Sequence, residues 1–299
     1  MSFSSALSAL SVLSVYTVAS DWSKVEKLRK TAAVNNVIVK VFFLSEFKGF
    51  TDKVASMKTV LKNLPDDAIV CFVDAYDVLL YAGEEEILRK FHRYDTDILF
   101  GAEVNCYPRE NLEAYKTLDN MLGPRTTNYR YLNSGGYVGR VKALREMISW
   151  RSEEEIESIS KLGGDQNYFT QYYLEHAREF TVDGNGRIRW KIRLDTHQSL
   201  FQNMCKVDIP DFAMVNGRLY NTVLSELPCF VHLNGYKDFH DCLLNTETNV
   251  KEPIMDIFSK KAKESRDQQA LQPLRYRQPF WIMVGGVAQE NIPQLPSSS

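Results

Sequence analysis

Residues 68–74, AIVCFVD, form an apolar run with neither the two-residue alternation of a half-exposed strand nor the spacing of an amphipathic helix. A run this short and this apolar fits a strand covered on both faces, the central position of a parallel sheet. Its neighbours fit the same scheme. A strand near 12–19 precedes the amphipathic segment DWSKVEKLRKTAAV, with Asp21 placed to cap it. VIVKVFFL is the next strand, 51–64 the next helix ending before Pro65, GEEEILRKFHRY a third helix and DILFGAE a further strand. This βαβα order predicts an open α/β sheet with helices on both sides.

Beyond residue 105 the regularity weakens. CYPRENLEAYKTLDNML reads as loop plus helix, and YLNSGGYVGRVKALREMISW as a Gly-rich turn, a short strand and a helix. GGDQNYFTQYYLEH reads as a helix with a Gly-rich entry, and 178–233 as short strands separated by DGNG, DIPD and NGRL, which makes this half α+β. The segment from about 283 has the composition of a disordered end.

At 299 residues, 44% hydrophobic and 25% charged, the chain has the make-up of an ordinary globular protein. A formal net charge of −2 without a dense Lys/Arg run gives no electrostatic case for nucleic acid. Cys71, Cys106, Cys205, Cys229 and Cys242 are scattered, without the CxxC spacing of a zinc site or the even count of a disulfide framework. No apolar run reaches the roughly 20 residues of a membrane span. SVYTVAS near the start reads as a strand rather than part of a signal peptide, and no Asn-x-Ser/Thr sequon occurs. The expectation is a cytoplasmic protein, with the secretory lumen as the alternative.

The AIVCFV run ends in Asp74, and Asp77 follows. Ligands of open α/β sheets bind beyond the carboxyl ends of the strands, so a carboxylate pair there can converge on one hard cation, which removes the cost of burying two like charges. The same spacing also fits a strand-terminal turn with Asp74 as cap and Asp77 solvated. Further islands stand at element ends: Asn133, Ser134, Gly135 and Gly136 in LNSGGYVG, Asp165 and Gln166 in GGDQ, and His232, Asn234, Gly235 and Lys237 in FVHLNGYKD. Singly, each fits a turn, a helix cap or a structural histidine; together they point to a site.

FVDAYDVLL, AEVNCYPRE, RYLNSGGYVG, DQNYFTQYYL, LFQN and VHLNG occur in the order of the glycosyltransferase domain of the multifunctional procollagen lysyl hydroxylases, and residues 12–240 resemble it. The resemblance implies a GT-A glycosyltransferase fold, a Rossmann-like mixed sheet with an α+β acceptor-side half. With the composition of the end of the sequence, the expectation is one domain over 1–283, with a nucleotide-sugar half to about 105, an acceptor and catalytic half over 106–283, and a flexible tail at 284–299. The implied reaction moves glucose from UDP-glucose to galactosyl-hydroxylysine of collagen, with Mn²⁺ and with retention at the anomeric carbon. By motif, Asp74, Asp77 and His232 match the metal ligands, Tyr76 the tyrosine stacked on uracil, Ser20 a hydroxyl near the uridine, and Lys53 a lysine near the phosphates. Asn234, Gly235 and Lys237 fall on the nucleotide side. Asp165, Gln166 and Asn133 match catalytic positions, and Tyr107, Ser134, Gly135 and Gly136 the sugar and acceptor pocket.

The chain departs from that pattern in three places. Gly164 stands where the family has a carboxylate, Tyr107 where it has a tryptophan, and the turn after Gly235 is one residue shorter. No His-x-Asp pair of the iron type is present, so a free-standing transferase acting on collagen or a collagen-like protein is expected, with a homodimer as a further expectation. Alternatives are a hydroxylysine galactosyltransferase or a transferase for another glycan, a metal-dependent phosphohydrolase, and a silent UDP-binding scaffold.

Overall fold

The computed structural model describes residues 13–123, 126–235, 243–245 and 250–252. Lys237, Cys242 and the proposed tail at 284–299 lie outside the described residues.

The first half follows the sequence pattern. Strand β1 (Leu13–Ala19) leads into a 3₁₀ turn at Trp22–Val25, where the Asp21 carboxylate accepts from Ser23 N–H, and then helix α1 (Glu26–Val34). Strand β2 (Val39–Phe43), helix α2 (Thr51–Leu61), strands β3 (Ile69–Val73) and β4 (Val78–Leu80), helix α3 (Glu84–His92) and strand β5 (Thr96–Glu103) complete it. Helix α3 carries Glu84, Glu85 and Glu86 in its first turn and Arg89, Lys90 and His92 in its last, the charge order that complements the helix dipole.

Helix α4 (Leu112–Leu122) is followed by strand β6 (Tyr131–Arg140), then helices α5 (Val141–Ile148), α6 (Glu153–Ser160) and α7 (Gly164–His176). Six short strands follow: β7 (Phe180–Val182), β8 (Ile188–Asp195), β9 (Phe201–Asn203), β10 (Phe212–Val215), β11 (Arg218–Asn221) and β12 (Phe230–His232). Strands β13 (Leu243–Asn245) and β14 (Val250–Glu252) close the described chain.

Ten strands form one mixed sheet in the order β2-β1-β3-β6-β5-β9-β12-β4, with β8 pairing β5 and β7 pairing β8 at its side. Strands β11-β10-β13-β14 make a second sheet. The apolar run at 69–73 is buried throughout, parallel to β1 and antiparallel to β6. Its alternate side chains feed two cores. Ile69, Cys71 and Val73 pack with Leu28 and Ala32 of α1 and Ile87 and Phe91 of α3. Val70 and Phe72 pack on the other face with Met57 of α2, Leu144 of α5 and Phe169 of α7.

One element differs from its sequence reading. YLNSGGYVGR is not a turn but ten residues of continuous strand, paired with β3 on one side and β5 on the other. Its glycines serve close packing. A Cβ on Gly135 would lie 2.1 Å from the His232 ring, and one on Gly136 would lie 2.6 Å from the Phe201 ring. No side chain fits between β6 and these rings, so flat backbone must pass there.

Candidate active site

Every strand that bears on the site ends or begins at one edge of the main sheet. Asp74 follows β3, Glu103 ends β5, Asn203 ends β9 and His232 ends β12, while Asp77 immediately precedes β4. Register sets the contacts. Antiparallel pairing of β12 with β4 puts His232 opposite Val78, next to Asp77, and Leu233 N–H donates to the Asp77 carbonyl at 2.8 Å. Parallel pairing of β12 with β9 puts His232 opposite Asn203. Asp74 N–H donates to the Gly135 carbonyl at 2.9 Å, which fixes the 74–77 turn against β6.

Asp74, Asp77 and His232 offer ligand atoms that all lie within 4.8 Å of one another. His232 Nε2 stands 3.3 Å from an Asp77 oxygen and 3.8 Å from an Asp74 oxygen. The other ring nitrogen identifies the tautomer. Nδ1 faces Oδ1 of Asn133 at 2.9 Å and Oδ1 of Asn203 at 3.0 Å. Both amides are oriented by further bonds: Asn133 accepts from Gly135 N–H and donates to Glu103, and Asn203 donates to the Ala102 carbonyl. Two acceptors at Nδ1 require a proton there, which leaves the Nε2 lone pair for the carboxylate side, the arrangement typical of a metal-ligating histidine. Burial pushes the His232 pKa down, but Asp77, Asp74 and Glu103 more than offset it, so the imidazole stands above its ordinary value. Without a cation, a proton on Nε2 answers the same negative charge.

Lys53, on the first turn of α2, reaches across the cleft to Asp74 at 2.6 Å and to Asp165 at 3.7 Å. Burial alone would depress its ammonium; Asp74 and Asp165 instead hold it above the usual lysine range. Asp165 lies in the first turn of α7, 4% exposed. The helix cap is Gly163, in left-handed conformation, so Asp165 is not the cap that GGDQ also permitted. Burial raises the Asp165 pKa, with Lys53 acting against it. Asp74, Asp165 and, farther off, Asp77 thus set three carboxyl groups around one ammonium, a charge balance suited to an added cation.

Asn133 and Gln166 are occupied by protein contacts. Gln166 donates to Glu103 at 2.8 Å and to the Tyr107 carbonyl at 3.1 Å, and its own oxygen accepts from Ser134 N–H at 3.3 Å. They therefore position neighbours rather than reach outward. Asn234 accepts from Met204 and Cys205 N–H at 3.0 and 3.2 Å and donates to Glu103 at 3.4 Å, while Gly235 turns left-handed beside Cys205. Tyr76, between the two aspartates, accepts from Ser20 N–H at 2.8 Å and Asp21 N–H at 3.1 Å, with its ring 38% exposed. An open cleft of about 330 Å³ has Lys53, Asp74, Asp77, Asp165, Ser134, Gly135 and His232 among its walls, while Tyr76 and Ser20 stand outside that lining. Gly136, expected in the sugar pocket, instead faces Phe201 in the core, because successive strand residues point to opposite faces.

Sequence reasoning missed Glu103 and Asn203. Glu103 is 3% exposed and ties Asn133, Gln166 and Asn234 together; burial raises its pKa despite those amide donors. The signal was present: DILFGAE ends in a carboxylate as AIVCFVD does. Asp195 shows why that signal needs geometry, since it too ends a strand, yet its oxygens accept from the backbone of Ser199, Leu200 and Phe201.

A family model described as the PLOD GT domain matches residues 9–253, and the chain belongs to this family of glycosyltransferase domains. Its mixed sheet, with the carboxylate cluster at the carboxyl edge, is the GT-A arrangement. Among relatives, procollagen-lysine,2-oxoglutarate 5-dioxygenase 1 of Gallus gallus is 28% identical over 224 residues, 70% of this chain and 28% of that protein. The multifunctional procollagen lysine hydroxylase and glycosyltransferase LH3 of Homo sapiens is 29% identical over 194 residues, 62% of this chain and 23% of that protein. Protein R699 of Acanthamoeba polyphaga mimivirus is 28% identical over 190 residues, 62% of this chain and 36% of that protein. The chain therefore spans only a minor part of the length of the relatives it matches. It is also similar to the solved galactosyltransferase LgtC in complex with donor and acceptor sugar analogues (TM-score 0.44, 11% identity, 84% of this chain and 95% of that one). The bifunctional glycosyltransferase WbbM gives a TM-score of 0.46 at 11% identity, over 84% of this chain and 50% of that one. Among the described residues no helix is long and apolar enough to cross a membrane.

Proposed function

We propose that the protein is a retaining, cation-dependent hexosyltransferase that moves glucose from UDP-glucose to galactosyl-hydroxylysine of collagen or a collagen-like protein. The carrying observation is the convergence of Asp74, Asp77 and His232 Nε2, beside Asp165, in the cleft of a chain from this family. Those three residues would hold the cation, and a mixed nitrogen and oxygen donor set suits Mn²⁺ better than Mg²⁺. When bound, the cation neutralises the diphosphate and stabilises the departing UDP.

The remaining work falls to the chain itself. Asn133 and Asn203 hold the His232 ring and its Nδ1 proton in place. Tyr76, anchored through its hydroxyl by the Ser20 and Asp21 amides, offers a half-exposed ring for the uracil. Lys53 supplies a positive charge between Asp74 and Asp165 for the phosphates. Asp165 keeps a buried negative charge at the sugar end, where positive charge develops at the anomeric carbon in the transition state. Gln166 and Glu103 fix that helix end against β6. Retention requires the acceptor hydroxyl to reach the anomeric carbon from the face of the leaving group, which a mouth open beside Asp165 allows.

The test is incubation with UDP-glucose or UDP-galactose, Mn²⁺ and a peptide bearing hydroxylysine or galactosyl-hydroxylysine, read by mass spectrometry. One hexose added to the galactosylated peptide from UDP-glucose is the expected result. Addition from UDP-galactose to bare hydroxylysine would change the donor and acceptor, and UDP release without any glycopeptide would overturn the transfer.

A further inference from the structure

Gly164 departs from the family pattern, and the structure gives the physical reason. Its φ is +67°, and a Cβ built there would lie 2.8 Å from Cγ and Cδ2 of Phe50. The Phe50 ring thus rests on the first turn of α7, one residue before Asp165. This is no core side chain: it is 50% exposed and lines the cleft with Lys53, Asp165 and Tyr107, itself 54% exposed. Lys53 Nζ stands 5.8 Å from the Phe50 centroid, and Phe47 meets the ring edge-on at 6.0 Å. A phenylalanine half in water at the mouth of a polar cleft leaves apolar surface unsatisfied until an occupant covers it.

We infer that Phe50 is a stacking platform for the C–H face of a hexopyranose, resting on Gly164, where both the positive φ and the space taken by the ring favour glycine. The inference rests on the proposed function in taking this cleft as the place of hexosyl transfer. A hexopyranose carries C–H groups on its faces and hydroxyls around its rim. Phe50 meets the first requirement, and Asp165 and Lys53, on the same wall, meet the second. The donor hexose and an acceptor hexose present the same chemistry, so the experiment separates them.

Saturation-transfer NMR is recorded with methyl α-glucoside, methyl β-galactoside, UDP-glucose and UDP, on wild type, Phe50→Ala, Phe50→Tyr and Gly164→Ala. In wild type, C–H protons of one hexose face take up saturation. Phe50→Ala is expected to reduce this by about fivefold or more, Phe50→Tyr to retain it, and Gly164→Ala to mimic the loss by pushing the ring aside. Losses confined to UDP-glucose and the glucoside assign the platform to the donor; losses confined to the galactoside assign it to the acceptor. Wild-type uptake in Phe50→Ala, no uptake in wild type, or an equal fall in UDP uptake would each overturn the platform. If hexosides stack on Phe50 while UDP fails to bind at all, the transferase reading falls and the platform stands.

Discussion

Gly135→Ala should separate metal binding from folding more sharply than removal of any ligand. An alanine Cβ at 135 would lie 2.1 Å from Cε1, 2.5 Å from Nδ1 and 2.8 Å from Nε2 of His232, where ordinary contact begins at 3.4 Å. The ring must withdraw by roughly 1 Å, because the close-packed interior leaves no other slack. Such a shift stretches the 2.9 and 3.0 Å bonds to Asn133 and Asn203 beyond hydrogen-bonding range. Overpacking costs about 1–3 kcal/mol, and the stranded Asn203 amide oxygen about 1–3 kcal/mol more, since the Asn133 oxygen keeps its bond from Gly135 N–H. The expected loss of stability is thus about 2–6 kcal/mol, with cation-dependent UDP affinity down about 100-fold or more, since a ligand is off by about 1 Å. Gly136→Ala is the control. Its Cβ meets Phe201 at 2.6 Å, so it should lose about 1–3 kcal/mol by overpacking and keep its UDP affinity. Urea unfolding and calorimetric titration of UDP with Mn²⁺ read both variants. Wild-type UDP affinity in a folded Gly135→Ala, or an equal fall in Gly136→Ala, would refute the placing of His232 at the metal.

Asp165→Asn should lower turnover by about 10²-fold or more while UDP–Mn²⁺ affinity holds, because a charge used in the transition state contributes little to ground-state binding; unchanged kcat would remove Asp165 from the chemistry. Asn203→Ala takes one acceptor from His232 Nδ1 and should weaken Mn²⁺ binding by about 10–100-fold, measured by competition with a chelating dye. Glu86 accepts from Arg218 at 2.8 and 3.0 Å, and although burial opposes it, Arg218 and Lys90 hold its carboxyl below the ordinary value. That lowered value means stability present above the unfolded carboxyl pKa of about 4.3 and lost as pH falls through the folded one, so Glu86→Gln should melt below wild type at neutral pH and converge with it in acid.

The sequence carried the sheet and the Asp74–Asp77 pair because both leave local marks, whereas His232 joined the pair only through the family resemblance. A doubly covered strand is a continuous apolar run, and a carboxylate at its end is out of place in such a run unless something holds it. The strand at 131–140 left the wrong mark, since Gly135 and Gly136 suggest a turn when only local conformation is weighed. Their reason is two rings, His232 and Phe201, from strands about 65–100 residues away, a distance that no local pattern spans. Glu103 and Asn203 escaped for a related reason: they act on amides and on an imidazole, and they meet those partners only through the tertiary fold, Asn203 by the register of β9 with β12 and Glu103 partly across to helix α7. Gly164 was visible as a departure, but its partner Phe50 was not, because that contact joins the N-termini of two helices remote in sequence.

A divalent cation on Asp74, Asp77 and His232 is expected to mediate nucleotide binding. Titration of UDP into wild type and Asp77→Ala, each with Mn²⁺ and again with EDTA, tests it directly. Saturable heat is expected only for wild type with Mn²⁺, restored when excess Mn²⁺ is added back after EDTA. Equal UDP affinity in EDTA, or full affinity in a folded Asp77→Ala, would contradict it.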